Sequence, residues 1–353
     1  MAINDTEVPG HDLEAVSRFC NSVQVYVLPL YKRVFQLLLS PFKKLPLQVA
    51  FFYNNAIRKK LEEFIATIQP DHIHCHLIRT TEYVRNVSGI RKSLDFMDAF
   101  GKGMEKRAQL ERNFLKRMIF TYEKRQLYRY ERLVFNYVNC SCIISKQDKN
   151  WIPGYRANEI ITLPNGVDFE AFYPKKLEKK YDVVFMGNLD YPPNIVAVNF
   201  LLKEIIPLVK KTIPGIKVLI AGTGASKEMK RLGSANVNFV ENFGHISQSI
   251  AISKIMVAPM IMHIGLPNKV IQAMAMKTPC IVSTLSNNSI GAENHKSIIE
   301  ANTPNEFAEA IFDLLNNETK ANSIAEEAYT FVKEHFSWGK QNEVFTEFIL
   351  KKS

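Results

Sequence analysis

A chain of 353 residues, 46% hydrophobic and with a net charge of +10, is long enough for two domains with separate cores, which excludes a single small module. Its five cysteines, Cys20, Cys75, Cys140, Cys142 and Cys280, have no C-x-x-C spacing and sit mostly in apolar runs, as expected of small hydrophobes in a reducing, cytosolic protein without disulfides. No charged-then-apolar leader is visible, and no uninterrupted apolar stretch reaches the roughly 18 residues of a spanning helix, so neither export nor membrane spanning is expected.

In chain order, "AINDTE" directly after Met1 reads as the tail of a strand, so a leading strand, loop and helix are expected to be absent; a frayed terminus is the alternative. "SVQVYVL" reads as a strand. Lys32, Arg33, Lys43, Lys44, Arg58, Lys59 and Lys60 then punctuate the apolar pieces Val34 to Leu39 and Leu45 to Phe52. "AIRKKLEEFIATIQ" is a helix and "HIHCHLI" a strand. Alternation puts His72, His74 and His76 on one strand face. A metal site would need a further ligand cluster with suitable spacing, which the sequence does not offer, so no metal is expected. "LDFMDAFG" presents Asp95 and Asp98, two carboxylates that could act as base, orient hydroxyls or cap a turn.

Gly103 to Tyr137 reads as one or two long basic helices. Between Lys102 and Arg132 there are ten Lys or Arg against four Glu. Basic and apolar residues mixed in this way suit an anionic membrane surface, or else a solvated face laced with ion pairs. The aromatics form no stacking platform among the basic residues, so nucleic acid is not an expected partner. "CSCIIS" is a further strand, Ser145 with Asp148 a helix cap, "EIITLP" the end of this half, and "NGVD" a turn into the next.

The second half alternates more regularly. "YDVVFMGN", "GIKVLIAGTG", "NVNFV", "KIMVAPM" and "CIVST" read as strands, separated by helical stretches including "NIVAVNFLLKEIIPLVKKTIP" and Pro267 to Met276. "TPNEFAEAIFDLLNN" and "ANSIAEEAYTFVKEHF" close it as amphipathic helices, the first with a Thr cap and Glu three residues on. Such alternation implies an α/β protein with a doubly wound parallel sheet. Gly187 and the Gly222 to Gly224 GTG fall at carboxyl ends of strands, the edge where such sheets hold ligands. The GTG lacks the third glycine and the acidic residue of a dinucleotide fingerprint, which argues against a dehydrogenase. Pro267 opening a helix after Gly265 would leave amides free to cradle a phosphate.

"LPNGVDFEAFYP", "FMGNLDYPPNIVAVNF", "GLPNKVIQAMAMKTPCIVST" and "FVKEHFSW", in this order, resemble the interdomain segment, the first strand and glycine loop, the donor helix and the crossing-back helix of family-4 glycosyltransferases of the GT-B fold. The resemblance covers nearly all of Cys140 to Leu350 and is looser upstream. It implies two Rossmann-like domains facing across a cleft. Residues 1–164 would form the acceptor-side domain, incomplete at its start and completed by a helix at 338–353, and residues 165–337 the nucleotide-sugar domain.

The same resemblance implies a retaining transferase that moves a sugar from a nucleoside-diphosphate sugar to a cell-surface polysaccharide or glycolipid acceptor, with no metal or cofactor beyond the donor. Acceptor attack on the face of the departing diphosphate would be helped by a diphosphate oxygen. By this resemblance Gly187, Asn188, Gly222, Gly224, Gly265, Asn268, Lys269 and Gln272 would bind the donor, and His76 and Asp98 would act on the other side of the cleft. The protein would work in the cytoplasm, peripheral on the inner membrane.

Two positions depart from the family's pair of glutamates, Ile264 and Gln272. Gln272 could still accept a ribose hydrogen bond at a loss of ~1 kcal/mol, about fivefold to tenfold in affinity. A branch of sugar transferases that resembles this chain also lacks the first glutamate. The alternative is a catalytically impaired relative that keeps the fold and serves as a binding or scaffold protein at the membrane surface.

Overall fold

The computed structural model describes residues 1–4, 6–241, 244–262 and 265–350. Twelve short strands order the described chain: β1 (Ala2–Asn4), β2 (Val25–Val27), β3 (His72–His76), β4 (Arg91–Asp95), β5 (Cys140–Ile143), β6 (Ile161–Thr162), β7 (Tyr181–Met186), β8 (Val218–Ala221), β9 (Val237–Val240), β10 (Ser253–Ala258), β11 (Cys280–Val282) and β12 (Ile299–Glu300). Every pairing between them is parallel, as helical crossovers between successive strands require.

The chain divides into two compact units, one of Met1–Ile143 with Lys149–Thr162, the other of Ile144–Asp148 with Leu163–Ser353. Both are Rossmann-like α/β units. The first carries a four-stranded sheet, β3-β4-β5-β6, and a separate pair, β1-β2. Its core gathers Leu94, Phe96, Leu127, Val134 and Ile143 under Tyr130, all fully or nearly fully buried. The second carries one six-stranded sheet, β12-β11-β10-β7-β8-β9. Its central strands read as continuous apolar runs, with Val183, Val184, Phe185 and Met186 all buried, because helices cover both faces.

The expected boundaries differ from the observed units in two places. The pentapeptide Ile144–Asp148 groups with the second unit. So does the helix Trp338–Leu350, which the sequence reading assigned to completing the first domain. It is held by Gly166, where an added Cβ would lie 2.5 Å from the Trp338 ring, and by the bridge between Val167 and Ser337.

The stretch Pro192–Thr212 is the one helix among the described residues long and apolar enough to cross a membrane by length and composition. It begins on two prolines, whose missing N–H groups cost nothing in a first turn. Leu201–Ile205 forms a π-turn within it. Half of it is buried, with Phe200 edge-on to Phe307 of the helix Pro304–Asn316 at 6.2 Å; within this fold it is a core helix. The expected Thr303–Glu306 capping box opens that neighbouring helix.

Two helices of the first unit keep apolar residues in solvent. Leu30–Lys43 exposes Leu30, Tyr31, Val34, Phe35, Leu38 and Phe42, the last at 85%. Phe114–Leu133 exposes Phe114, Leu115, Met118 and Ile119. Both runs follow helical spacing, so each forms a stripe.

Candidate functional site

In the second unit, β7 ends in Gly187 and β8 in Gly222, side by side across the sheet. Gly187 N–H donates to Ala221 O at 3.0 Å, which draws the two turns together. A Cβ on Gly222 would stand 1.8 Å from Gly187 O. Gly222 also has φ +146°, so only glycine fits at this close approach. Gly224 packs against Asp190 and the Asn188 side chain, with an added Cβ 3.1 and 3.2 Å from them.

A chain of polar contacts runs over these glycines. Asn188 is exposed, and its Oδ1 accepts from Asp190 N–H at 3.2 Å. Its carbonyl accepts from Asn194 Nδ2 at 2.7 Å. Asn194 Oδ1 in turn accepts from Lys269 Nζ at 2.6 Å, and Lys269 Nζ lies 4.2 Å from the centre of the Phe185 ring. A Cβ on Gly187 would meet both Asn194 Nδ2, at 2.8 Å, and Lys269 Nζ, at 2.9 Å. Asn188, Asn194 and Lys269 therefore surround the bare Gly187 backbone.

Lys269 has no carboxylate in this set, and burial lowers its pKa to about 7. Near neutrality it is poised between charged and neutral, and an arriving anion would draw the proton on. Amide side chains from Asn188 and Asn194, a titrating lysine and glycine backbone form a suitable bed for a diphosphate.

The residues expected on the donor helix divide. The helix runs Asn268–Ala275, with Pro267 at its cap position and not in its first turn. Asn268 is exposed, its Oδ1 accepting from Asn165 Nδ2 at 3.4 Å. Gln272, one turn on, is half-buried. Gly265 has φ +75° and is buried, but its N–H is not free for a phosphate. Both carboxylate oxygens of Asp148 accept from it, at 3.2 and 3.1 Å. That amide anchors the loop inside the protein. Ile264 lies outside the described residues.

Sequence reasoning read Asp148 as a partner in a cap. That is half of its role, since Asp148 N–H donates to Ser145 Oγ at 3.0 Å. Ser145 Oγ also hydrogen-bonds back to the Asp148 carboxylate. No local signal links Asp148 to a glycine far down the chain; only the fold does.

In the first unit the parallel register pairs His76 with Asp95. His76 Nδ1 lies 3.3 Å from Asp95 Oδ2, and the Asp95 hydrogen bond raises the His76 pKa above its ordinary value. Asp95 Oδ1 accepts from Met97 N–H at 2.8 Å, which fixes the carboxylate. Asp98, the carboxylate expected to act with His76, follows in the next turn, half-buried, with its N–H on Phe96 O. Asp95 is thus the direct partner of His76.

Ser93 Oγ sits 2.7 Å from both His72 Nε2 and His74 Nδ1, and burial lowers the pKa of each ring. His74, His76 and Asp95 offer ligand atoms within 4.8 Å of one another. Those three could hold a cation, and the neighbouring strand supplies the third ligand that the His-x-His spacing alone did not reveal.

Residues 180–317 match the family model for glycosyl transferases group 1. An uncharacterized 44.6 kDa protein in the cps region of Klebsiella pneumoniae is 26% identical over 319 residues, covering 83% of this chain and 76% of that protein. Among solved structures, HepE from Anabaena in complex with UDP and glucose superimposes with a TM-score of 0.67 at 12% identity, covering 98% of this chain and 97% of that one. Sucrose-phosphate synthase from Thermosynechococcus elongatus gives 0.66 at 16% identity, over 82% of this chain and 76% of that one. The fold is therefore GT-B, and with a glycosyltransferase group 1 match across residues 180–317 the comparisons support a glycosyltransferase.

Proposed function

We propose that this chain is a retaining family-4 glycosyltransferase that moves a sugar from a nucleoside-diphosphate sugar to a growing cell-surface polysaccharide or glycolipid. The observation that carries this reading is the ring of Asn188, Asn194 and Lys269 around Gly187, inside the segment that matches the group 1 model. As the sugar departs, negative charge grows on the diphosphate, and a lysine that gains its proton with that charge stabilises the transition state more than the ground state. HepE's complex with UDP and glucose supports a nucleoside-diphosphate donor. The cps-region relative supports a surface-polysaccharide acceptor.

His76, held by Asp95, and Asp98 would serve the acceptor. The reading calls on no cofactor beyond the nucleoside-diphosphate sugar. The apolar stripe on Leu30–Lys43, flanked by Lys32, Lys43 and Lys44, would rest on the anionic cytoplasmic face of a membrane where the lipid-linked acceptor lies.

Thermal unfolding with UDP, GDP and other nucleoside diphosphates, each over a concentration series, tests the reading. Ligand at about 100 times its Kd adds ~2.7 kcal/mol of stability. A shift with one nucleotide identifies the donor class. The second reading, a catalytically impaired GT-B homologue acting as a binding or scaffold protein, is favoured by the absence of a carboxylate at Gln272 and by the occupied amide of Gly265. Failure of every nucleotide to shift the folded chain would select it. Gln272→Glu should tighten nucleotide binding if residue 272 holds the ribose.

A further inference from the structure

Strands β3 and β4 carry a row of ring nitrogens and a carboxylate on one face of the first unit's sheet. Their register sets His72 against Arg91, His74 against Ser93 and His76 against Asp95, and alternation turns these side chains to the same side. The donor atoms of His74, His76 and Asp95 lie within 4.8 Å of one another. Two imidazoles and one carboxylate thus converge from two neighbouring strands, and the transferase reading gives a role to only one of those rings.

We propose that His74, His76 and Asp95 form a binding site for one Zn²⁺ ion, with at least one coordination position left to solvent. Two nitrogen donors and one oxygen suit zinc, whereas Mg²⁺ and Ca²⁺ take oxygen ligands. His76 Nδ1 and Asp95 Oδ2 stand 3.3 Å apart. That is longer than the ~2.8 Å of a well-made charge-assisted hydrogen bond. It equals the edge of about 3.3 Å between two ligands of a tetrahedral ion with bonds of roughly 2.0–2.1 Å. The wider separations in the set close by rotation of the two histidine rings, both of which are exposed.

The surroundings hold the ligands in place. Ser93 Oγ meets His74 Nδ1 at 2.7 Å and His72 Nε2 at 2.7 Å, so the His74 ring is steered through Nδ1 and offers Nε2 to the ion. The carboxylate is braced likewise, with Oδ1 accepting from Met97 N–H at 2.8 Å and Oδ2 turned to His76. Both strands run into turns that hold a non-glycine residue at positive φ, Leu77 at +68° directly after His76 and Met97 at +60° two residues after Asp95. Such strain is kept where the surrounding structure fixes it, and ligand clamps are among those places. The cavity of about 430 Å³ lined by His72, His74 and His76 gives the ion a path in. The site stands on these side chains alone and does not depend on the transferase reading.

Titration calorimetry of the full chain with ZnCl2, in a buffer holding an excess of MgCl2, tests it. Saturation at one ion per chain is expected. His74→Gln, His76→Gln and Asp95→Asn should each weaken binding by at least about tenfold. His11→Gln and Cys20→Ser, which alter exposed groups outside the set, should leave it unchanged. A variant can lose affinity by losing its fold, so the ring ¹⁵N shifts of the wild-type chain supply a second reading. Zn²⁺ should move the ring nitrogens of His74 and His76 and leave those of His11 in place. The proposal is overturned if binding does not saturate, if excess Mg²⁺ displaces the ion, or if any of the three ligand variants binds as wild type does. It is overturned too if His11→Gln or Cys20→Ser weakens binding as much, or if the His74 and His76 rings do not respond.

Discussion

Asp148 and Gly265 are joined by a two-oxygen grip on a single amide, with both carboxylate oxygens of Asp148 within 3.2 Å of Gly265 N. Asp148 is fully buried, so the Asp148→Ala variant leaves a buried N–H unsatisfied and should lose about 1–3 kcal/mol of stability. Asp148→Asn keeps an oxygen acceptor and should lose less. Urea unfolding of the three proteins measures the order, and equal midpoints for wild type and Asp148→Ala would remove any structural role for the contact.

Lys269 should take up a proton when a nucleoside diphosphate binds. With its pKa lowered to about 7 by burial, much of the free protein at pH 8 carries it neutral, and a bound anion favours the charged form. Titration calorimetry in buffers of different ionisation enthalpy should report proton uptake at pH 8 that fades by pH 6. Lys269→Met should abolish the uptake and weaken binding about tenfold or more.

The same lysine sets a slope in stability. Its folded pKa lies below its unfolded value of 10.5, so between pH 7 and 10.5 the unfolded chain binds more protons at this site. Its contribution therefore rises with pH across that window and is most unfavourable below it. Lys269→Met should flatten the curve relative to wild type between pH 7 and 9, with its largest stabilising effect at the acid end.

Gly222→Ala should be among the most damaging small substitutions. The added methyl would meet the Gly187 carbonyl at 1.8 Å, and neither backbone turn can yield without moving its strand. A loss of about 3 kcal/mol or more is expected in chemical denaturation, from clash and backbone strain together. Gly215→Ala, with open space around its Cα, is the control and should be nearly neutral.

His76 should titrate above the ordinary histidine range in wild type and fall toward it in Asp95→Asn, as followed by its ring proton shifts. The sign follows from the raised folded pKa. The His76–Asp95 pair adds stability that is fully present below the unfolded value of 6.5 and is lost as pH rises through the folded value. A wild-type pKa equal to that of the variant would contradict the contact.

Liposome co-sedimentation tests the exposed stripe. Leu38→Glu with Phe42→Glu replaces side chains 69% and 85% exposed, so the fold should persist while binding to anionic vesicles falls by tenfold or more, roughly the effect of removing two buried apolar anchors. Equal binding by both proteins would detach this helix from any membrane role.

The second unit was legible because its strands are buried on both faces and so declare themselves as apolar runs, as in "YDVVFM" and "KVLIA". The first unit hid two of its elements. β4, with the sequence RKSLD, carries no such run, yet Lys92 is buried within it. Its ammonium is satisfied by the carbonyls of Val84 and Val87 at 3.2 and 2.6 Å, a compensation that no strand propensity records. Leu30–Lys43 was read as broken apolar pieces, because Pro41 falls inside it and its apolar residues face solvent. At the candidate site, Asn188, Gly187 and Lys269 could be read from motif order. The hold of Asp148 on Gly265 could not, since it joins segments that only the folded chain brings together.

The chain leaves the first unit after Ile143, spends five residues in the second, returns at Lys149 and crosses again after Thr162. Modularity is therefore misjudged by any cut at the turn near residue 163. A fragment starting there would retain the whole matched segment but discard the acid that anchors the Gly265 loop. Domain exchange between relatives of this chain would have to carry the pentapeptide Ile144–Asp148 along with the second unit, as a small passenger encoded inside the first.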